Sequence, residues 1–98
     1  RLLSRTTVQF MMANQIGDLW GDSGSYYGLA FGVLDQNGQD KGGEGSMGTF
    51  QWGGYFNTQY FADPKEELIG ILMKQTMNIN EDNTGWKFRQ ITGQAIDD

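Results

Sequence analysis

The single proline of this chain stands in Asp63-Pro64-Lys65-Glu66, between two short apolar runs, Gln59 to Ala62 and Leu68 to Gln75. Asp at the first position of a turn can bond the backbone that follows, and Pro presets φ at the second. Two strand-length runs joined by so tight a turn form a hairpin, and hairpin strands pair antiparallel. The rest of the chain has to pair with that hairpin or cover it.

Upstream, Tyr26 to Leu34 is the clearest strand. Tyr27, Leu29, Phe31 and Val33 alternate with Tyr26, Gly28, Ala30, Gly32 and Leu34, so large residues line one face and mostly small ones the other. Met47 to about Trp52 forms a second strand. Leu68 to Gln75 is apolar on both faces and reads as a buried strand. Ser4 is placed to cap a helix over Arg5 to Gln15. Leu3 and Val8 form its hydrophobic staple, Val8, Met11 and Met12 line its apolar face, and Gly17 stops it. Phe88, Ile91, Ala95 and Ile96 recur at helical spacing in Trp86 to Ile96, where Gly93 weakens the helix. The expected fold is α+β: an antiparallel sheet of three to four strands with an N-terminal and a C-terminal helix packed on it.

With 98 residues the chain has room for one small domain. A net charge of -5 argues against nucleic acid and against electrostatic binding to anionic membranes. No apolar run is long enough to span a bilayer. Cysteine and histidine are both absent, which excludes Cys/His zinc sites and Ser-His-Asp or Cys-His catalysis from these residues. No cofactor or metal is expected. The chain begins at Arg1 without a signal-peptide pattern and is expected to be a processed or excised piece.

Three patterns imitate known sites. Gly43-Glu44-Gly45-Ser46-Met47-Gly48 matches G-x-G-x-x-G but precedes a strand, whereas a dinucleotide fingerprint opens a helix. Asp35 to Asp40 resembles a calcium loop, yet its glycine, Gly38, is misplaced and Ser46 stands where the closing Glu belongs. Tyr55-Phe56-Asn57 matches Y-x-N. None of Ser4, Ser23, Ser25 and Ser46 has the lysine that S-x-x-K requires, so covalent catalysis lacks its nucleophile here.

Tyr26-Tyr27-Gly28-Leu29-Ala30-Phe31-Gly32-Val33, Gly48-Thr49-Phe50-Gln51-Trp52-Gly53-Gly54 and above all the stretch from Phe61 to Gln75, with Asp63-Pro64-Lys65-Glu66-Glu67-Leu68-Ile69-Gly70 at its centre, resemble one family. It is the serine β-lactamase/penicillin-binding-protein-like family: class C β-lactamases, their esterase relatives and D-alanyl-D-alanine carboxypeptidases. The opening helix and the C-terminal Trp86 to Asp98 resemble it too. The resemblance covers nearly the whole chain but only the C-terminal part of that family's catalytic domain. It implies a β-lactamase/transpeptidase-like fold whose S-x-x-K lies upstream. The family's third motif, K-T-G, H-x-G or W-G-G, corresponds to Trp52-Gly53-Gly54. Tyr55-Phe56-Asn57 lies beside it, so it is not the family's Y-x-N.

By resemblance, the backbone N–H of Tyr55 would supply half of an oxyanion hole. Gly53 and Gly54 would leave room for substrate, and Trp52 would wall the cleft. Tryptophan in place of lysine favours ester or amide substrates over efficient β-lactam hydrolysis. The chain alone is expected to be inactive. In the longer parent its partner would be a small ester or amide, and family analogy implies a periplasmic or secreted location. Without the absent part, an exposed sheet edge or face would favour a homodimer. Other readings stay open. Trp52 could be a core aromatic followed by a glycine bulge. The chain could be a carbohydrate- or peptide-binding β module using Trp20, Trp52 and Tyr55 as stacking platforms. It could also be a degenerate hydrolase-like regulatory domain.

Overall fold

The computed structural model describes residues 1–19, 21, 26–36, 40, 45–78 and 81–96. Helix α1 spans Arg5–Met11, capped by Ser4, whose hydroxyl accepts from the Thr7 N–H at 3.0 Å. It stops short of Gln15 because tertiary bonds claim its next backbone groups. The Met11 carbonyl accepts from Leu29 N–H, and Gln15 N–H donates to the Tyr27 carbonyl, each at 2.9 Å. Gly17 does adopt a left-handed φ of 56°, but in the turn beyond. No residue of α1 is buried, so the expected packing of this helix on the sheet is replaced by a backbone tether.

The run from Tyr26 to Leu34 is a hairpin, not one strand. Strand β1 (Tyr26–Tyr27) folds back on β2 (Gly32–Val33), with Gly28 N–H donating to the Phe31 carbonyl at 2.8 Å. Gly28 also lies against the Met11 carbonyl so closely that a Cβ would fall on it. That contact, and the tether beside it, turn the chain where alternation alone would extend it.

Strands β3 (Phe50–Gly53), β4 (Gln59–Asp63) and β5 (Leu68–Leu72) continue the sheet, antiparallel throughout, in the order β1-β2-β3-β4-β5. The α+β class holds, with five strands instead of three to four. Helix α2 (Thr84–Gln94) covers one face, beginning and ending two residues earlier than its apolar spacing predicts. Phe61 of β4 meets Phe88 of α2 with ring centroids 6.1 Å apart. Opposite Phe61, Gly70 leaves the space its ring needs. On the other face, Phe31 contacts Phe50 and Tyr60 at 5.2 and 6.5 Å between centroids.

Strand β5 corrects the expectation of a buried strand. It is an edge strand, and Ile69, Ile71 and Met73 are 70%, 60% and 82% exposed. Burial on both faces needs a layer on each, and only the α2 side has one among the described residues. No helix among the described residues is long and apolar enough to cross a membrane.

The turn at Pro64 forms as its chemistry dictates. Asp63 is buried, and its carboxylate accepts from Ser46 N–H at 2.8 Å, Lys65 N–H at 3.1 Å and Glu66 N–H at 3.2 Å. Burial pushes its pKa up, but hydrogen bonds from Ser46, Glu66 and Lys65 outweigh that and hold it below the ordinary carboxylate value. The stability Asp63 contributes is therefore present above the unfolded-state pKa and lost as pH falls through the lower, folded one. Tm measured against pH should fall on the acid side, and Asp63→Asn should flatten that fall while lowering Tm near neutrality.

Candidate functional site

Strands β3 and β4 pair one to one from Phe50↔Ala62 through Gly53↔Gln59. With no extra residue there, the two glycines make no bulge in the strand. Gly54 N–H still donates to the Thr58 carbonyl at 2.7 Å, and Asn57 N–H closes a β-turn onto the Gly54 carbonyl at 3.1 Å. Asn57 has φ 68°. A β-turn followed by a left-handed residue is the three-residue hairpin loop, and asparagine tolerates that backbone better than most residues. Asn57 is buried, and its amide donates to the Thr76 hydroxyl at 2.8 Å and carbonyl at 3.3 Å. Tyr55-Phe56-Asn57 is thus a structural loop that locks the hairpin onto the segment after β5.

On its other side β3 is paired only as far as Gln51, which lies opposite Gly32. Beyond it, the edge at Trp52, Gly53, Gly54 and Tyr55 is open among the described residues. The direction of the backbone groups on that edge follows from the bonds to β4. Every peptide among the described residues is trans, so each N–H points opposite to the carbonyl of its own peptide unit. Because the Gly54 carbonyl is turned toward Asn57, the Tyr55 N–H points away from β4. Because the Gly54 N–H is turned toward Thr58, the Gly53 carbonyl also points away from β4. The open edge therefore presents one donor and one acceptor, and the Tyr55 N–H makes no hydrogen bond among the described residues.

A depression of about 330 Å³, wide open to solvent, lies at this end of the β3–β4 hairpin, lined by Trp52, Gly53, Gly54, Tyr55, Asn57 and Gln59. The structure thus brings Trp52, Gly53, Gly54 and Tyr55 together. Asn57 and Gln59 are lining residues that sequence reasoning missed. Asn57 carries a signal for a turn but none for a groove; Gln59 carries none, because its position depends on Gly85 of α2 leaving room for its side chain.

Trp52 is half exposed, with its ring edge-on to Tyr27 at 5.2 Å between centroids, which argues against a purely core role. Tyr55 is more exposed still, and its ring leans on Phe56. Neither Gly53 nor Gly54 has a positive φ, and a Cβ at either would come no nearer than 3.5 Å to its neighbours. Neither backbone conformation nor packing against the protein demands glycine. What the missing side chains provide is free volume at the hairpin end, beside Thr58 and Gln59.

Among the described residues, Tyr55 is the one ionisable residue on the lining. Among the described residues the groove offers an aromatic wall, and the β3 edge beside it a backbone donor and acceptor, but no base and no nucleophile. No group of acidic residues suited to holding a metal exists among the described residues. The acid Asp82 lies elsewhere, held well below the usual carboxylate range by the Lys74 ammonium at 2.7 Å and by hydrogen bonds from Thr84 and Thr76. That cluster joins the end of β5 to the start of α2. Of the imitative patterns, the described end of the glycine-rich stretch leads into β3, not a helix, and its Ser46 N–H is already taken by Asp63. Gly43 and Glu44, Asn37 to Gln39, Ser23, Ser25 and Trp20 lie outside the described residues. No family model matches the chain, and no curated protein matches it.

Proposed function

We propose that the chain is the C-terminal part of a serine hydrolase of the β-lactamase/penicillin-binding-protein-like type, contributing one oxyanion donor and a cleft wall. The observation that supports this is the Tyr55 N–H, which makes no hydrogen bond among the described residues and points away from β4 at the end of β3, beside two glycines that neither backbone conformation nor packing demands. A serine from an upstream segment attacks the carbonyl carbon of an ester or amide, and the electron pair moves onto the carbonyl oxygen. The Tyr55 N–H donates to that oxyanion. The oxyanion's electron pair then returns to carbon as the bond to the leaving group breaks, the leaving group takes the proton that the serine hydroxyl lost, and water adds to the acyl carbon to release the acid and restore the serine. Trp52 excludes water from one side of the cleft and brings no charge to it.

The chain alone, given a p-nitrophenyl ester or nitrocefin, should show no turnover above buffer. A longer protein that places S-x-x-K upstream of Arg1 should hydrolyse the ester. Turnover by the chain alone, or an upstream sequence without that serine, would overturn the assignment. The exposure of Trp52 and Tyr55 beside one groove favours a second reading, a carbohydrate- or peptide-binding surface. Glycan-array binding by the chain alone that Trp52→Ala removes would decide for that reading.

A further inference from the structure

Thr76, in the segment after β5, holds the groove loop through its N–H, its carbonyl and its hydroxyl. The N–H donates to the Phe56 carbonyl at 3.1 Å, and the carbonyl accepts from the Asn57 amide at 3.3 Å. A carbonyl only accepts, so it fixes which end of that amide faces Thr76. The same amide donates to the Thr76 hydroxyl at 2.8 Å, and the hydroxyl lies 2.9 Å from Asp82 Oδ2. Asp82 is ionised, with the Lys74 ammonium 2.7 Å from the same oxygen, so the hydroxyl is the donor in that bond. The other carboxylate oxygen accepts from the N–H of Thr84, the first residue of α2, at 3.0 Å. One directed chain of bonds therefore runs from Asn57 through Thr76 to Asp82 and the start of α2.

We infer that Thr76 is a positioning residue of the groove: its hydroxyl, oriented by Asp82, holds Asn57 in place and so aims the Tyr55 N–H. Asn57 is buried, and its backbone is left-handed, at φ 68°. Burial keeps water from replacing a lost partner of its amide, and a left-handed backbone relaxes when nothing holds it. Asn57 N–H donates to the Gly54 carbonyl, which belongs to the same peptide unit as the Tyr55 N–H. Moving Asn57 therefore turns the Tyr55 N–H. A hydroxyl that donates to a carboxylate is a stronger acceptor, so Asp82 strengthens the bond from Asn57. Gln59 of the groove lining lies against Gly85 of α2, so the hairpin end and the helix start meet at a second point. The aim of the N–H rests on these contacts alone; its effect on turnover rests on the hydrolase reading.

Thr76 is exposed and lies beyond the end of β5, so Thr76→Val should leave the core intact. It sets a methyl against the Asn57 amide and the Asp82 carboxylate. In the chain itself, nitrogen-15 relaxation should give the Tyr55 N–H an order parameter of about 0.85, falling below about 0.6 in Thr76→Val. Phe61 and Ala62, in the central strand β4, should keep theirs and so report an intact fold. Thr76→Ser, which retains the hydroxyl, should restore the order of Tyr55. In a longer protein bearing S-x-x-K, Thr76→Val should lower kcat about tenfold with KM little changed, the order expected for one buried donor left unpaired. Thr76→Ser should recover that rate. A Tyr55 N–H as ordered in Thr76→Val as in the native chain would overturn the inference, and so would a loosened loop with unchanged kcat. If the longer native protein hydrolyses no ester, the hydrolase reading falls, and the order parameters still decide what Thr76 does.

Discussion

Tyr55→Pro, placed in a longer protein that supplies S-x-x-K as the proposed hydrolase requires, should lower ester turnover by about 10²–10³-fold, the usual loss for one oxyanion donor. Tyr55→Phe should leave it within about twofold, because only the N–H is used. Proline is a clean probe at this position. Tyr55 is the second residue of the Gly54–Asn57 turn, where proline is favoured, and its N–H makes no bond among the described residues. The substitution should thus remove the donor and leave the hairpin intact, which an unchanged Tm would verify. The loss should fall on kcat at least as much as on KM, because the donor meets its full charge in the transition state. Equal losses in the proline and phenylalanine variants would assign the effect to the ring and remove the backbone from the mechanism.

Gly70→Ala should destabilise the fold by about 1–3 kcal/mol, the range for overpacking a filled core. Its new methyl would point at the ring of Phe61, itself buried between β5 and Phe88 of α2. The ring cannot retreat without opening the contact between α2 and the sheet. In a domain of this size each kcal/mol moves Tm by roughly 4–8 °C. Gly93→Ala is the opposite case. It lies inside α2 with no neighbouring atom within 4 Å of where a Cβ would stand, so alanine should stabilise the helix there. The gain should be about 0.5–1 kcal/mol, from the backbone entropy that glycine loses. A Gly70→Ala variant as stable as the native chain would mean that Phe61 has somewhere else to go.

Local chemistry made some features legible. Ser4 capped a helix because its hydroxyl reaches the Thr7 N–H within one turn of chain. Asp63 and Pro64 made their turn for the same reason: both partners of each bond lie within three residues. The groove residues Trp52 to Tyr55 are contiguous, so whatever strand they close, they stay together. By contrast, Gln59 enters the groove through a contact with Gly85 that no spacing rule connects to it.

The class of fold was settled by short-range pattern: apolar runs of strand length, one Asp-Pro turn and two amphipathic ends can make little else than an antiparallel sheet with helices. Where those elements stop was decided by tertiary contact. Met11 and Gln15 gave their backbone groups to Leu29 and Tyr27, which ended α1 early. Gly28, pressed against Met11, turned a nine-residue alternation (Tyr26 to Leu34) into a hairpin of two short strands. Alternation records which residues share a face if the chain runs straight, but not whether it does. Nor does an apolar run record what covers it: β5 is as apolar as a buried strand, yet it lies at the edge because position in a sheet is set by pairing partners far away in the chain.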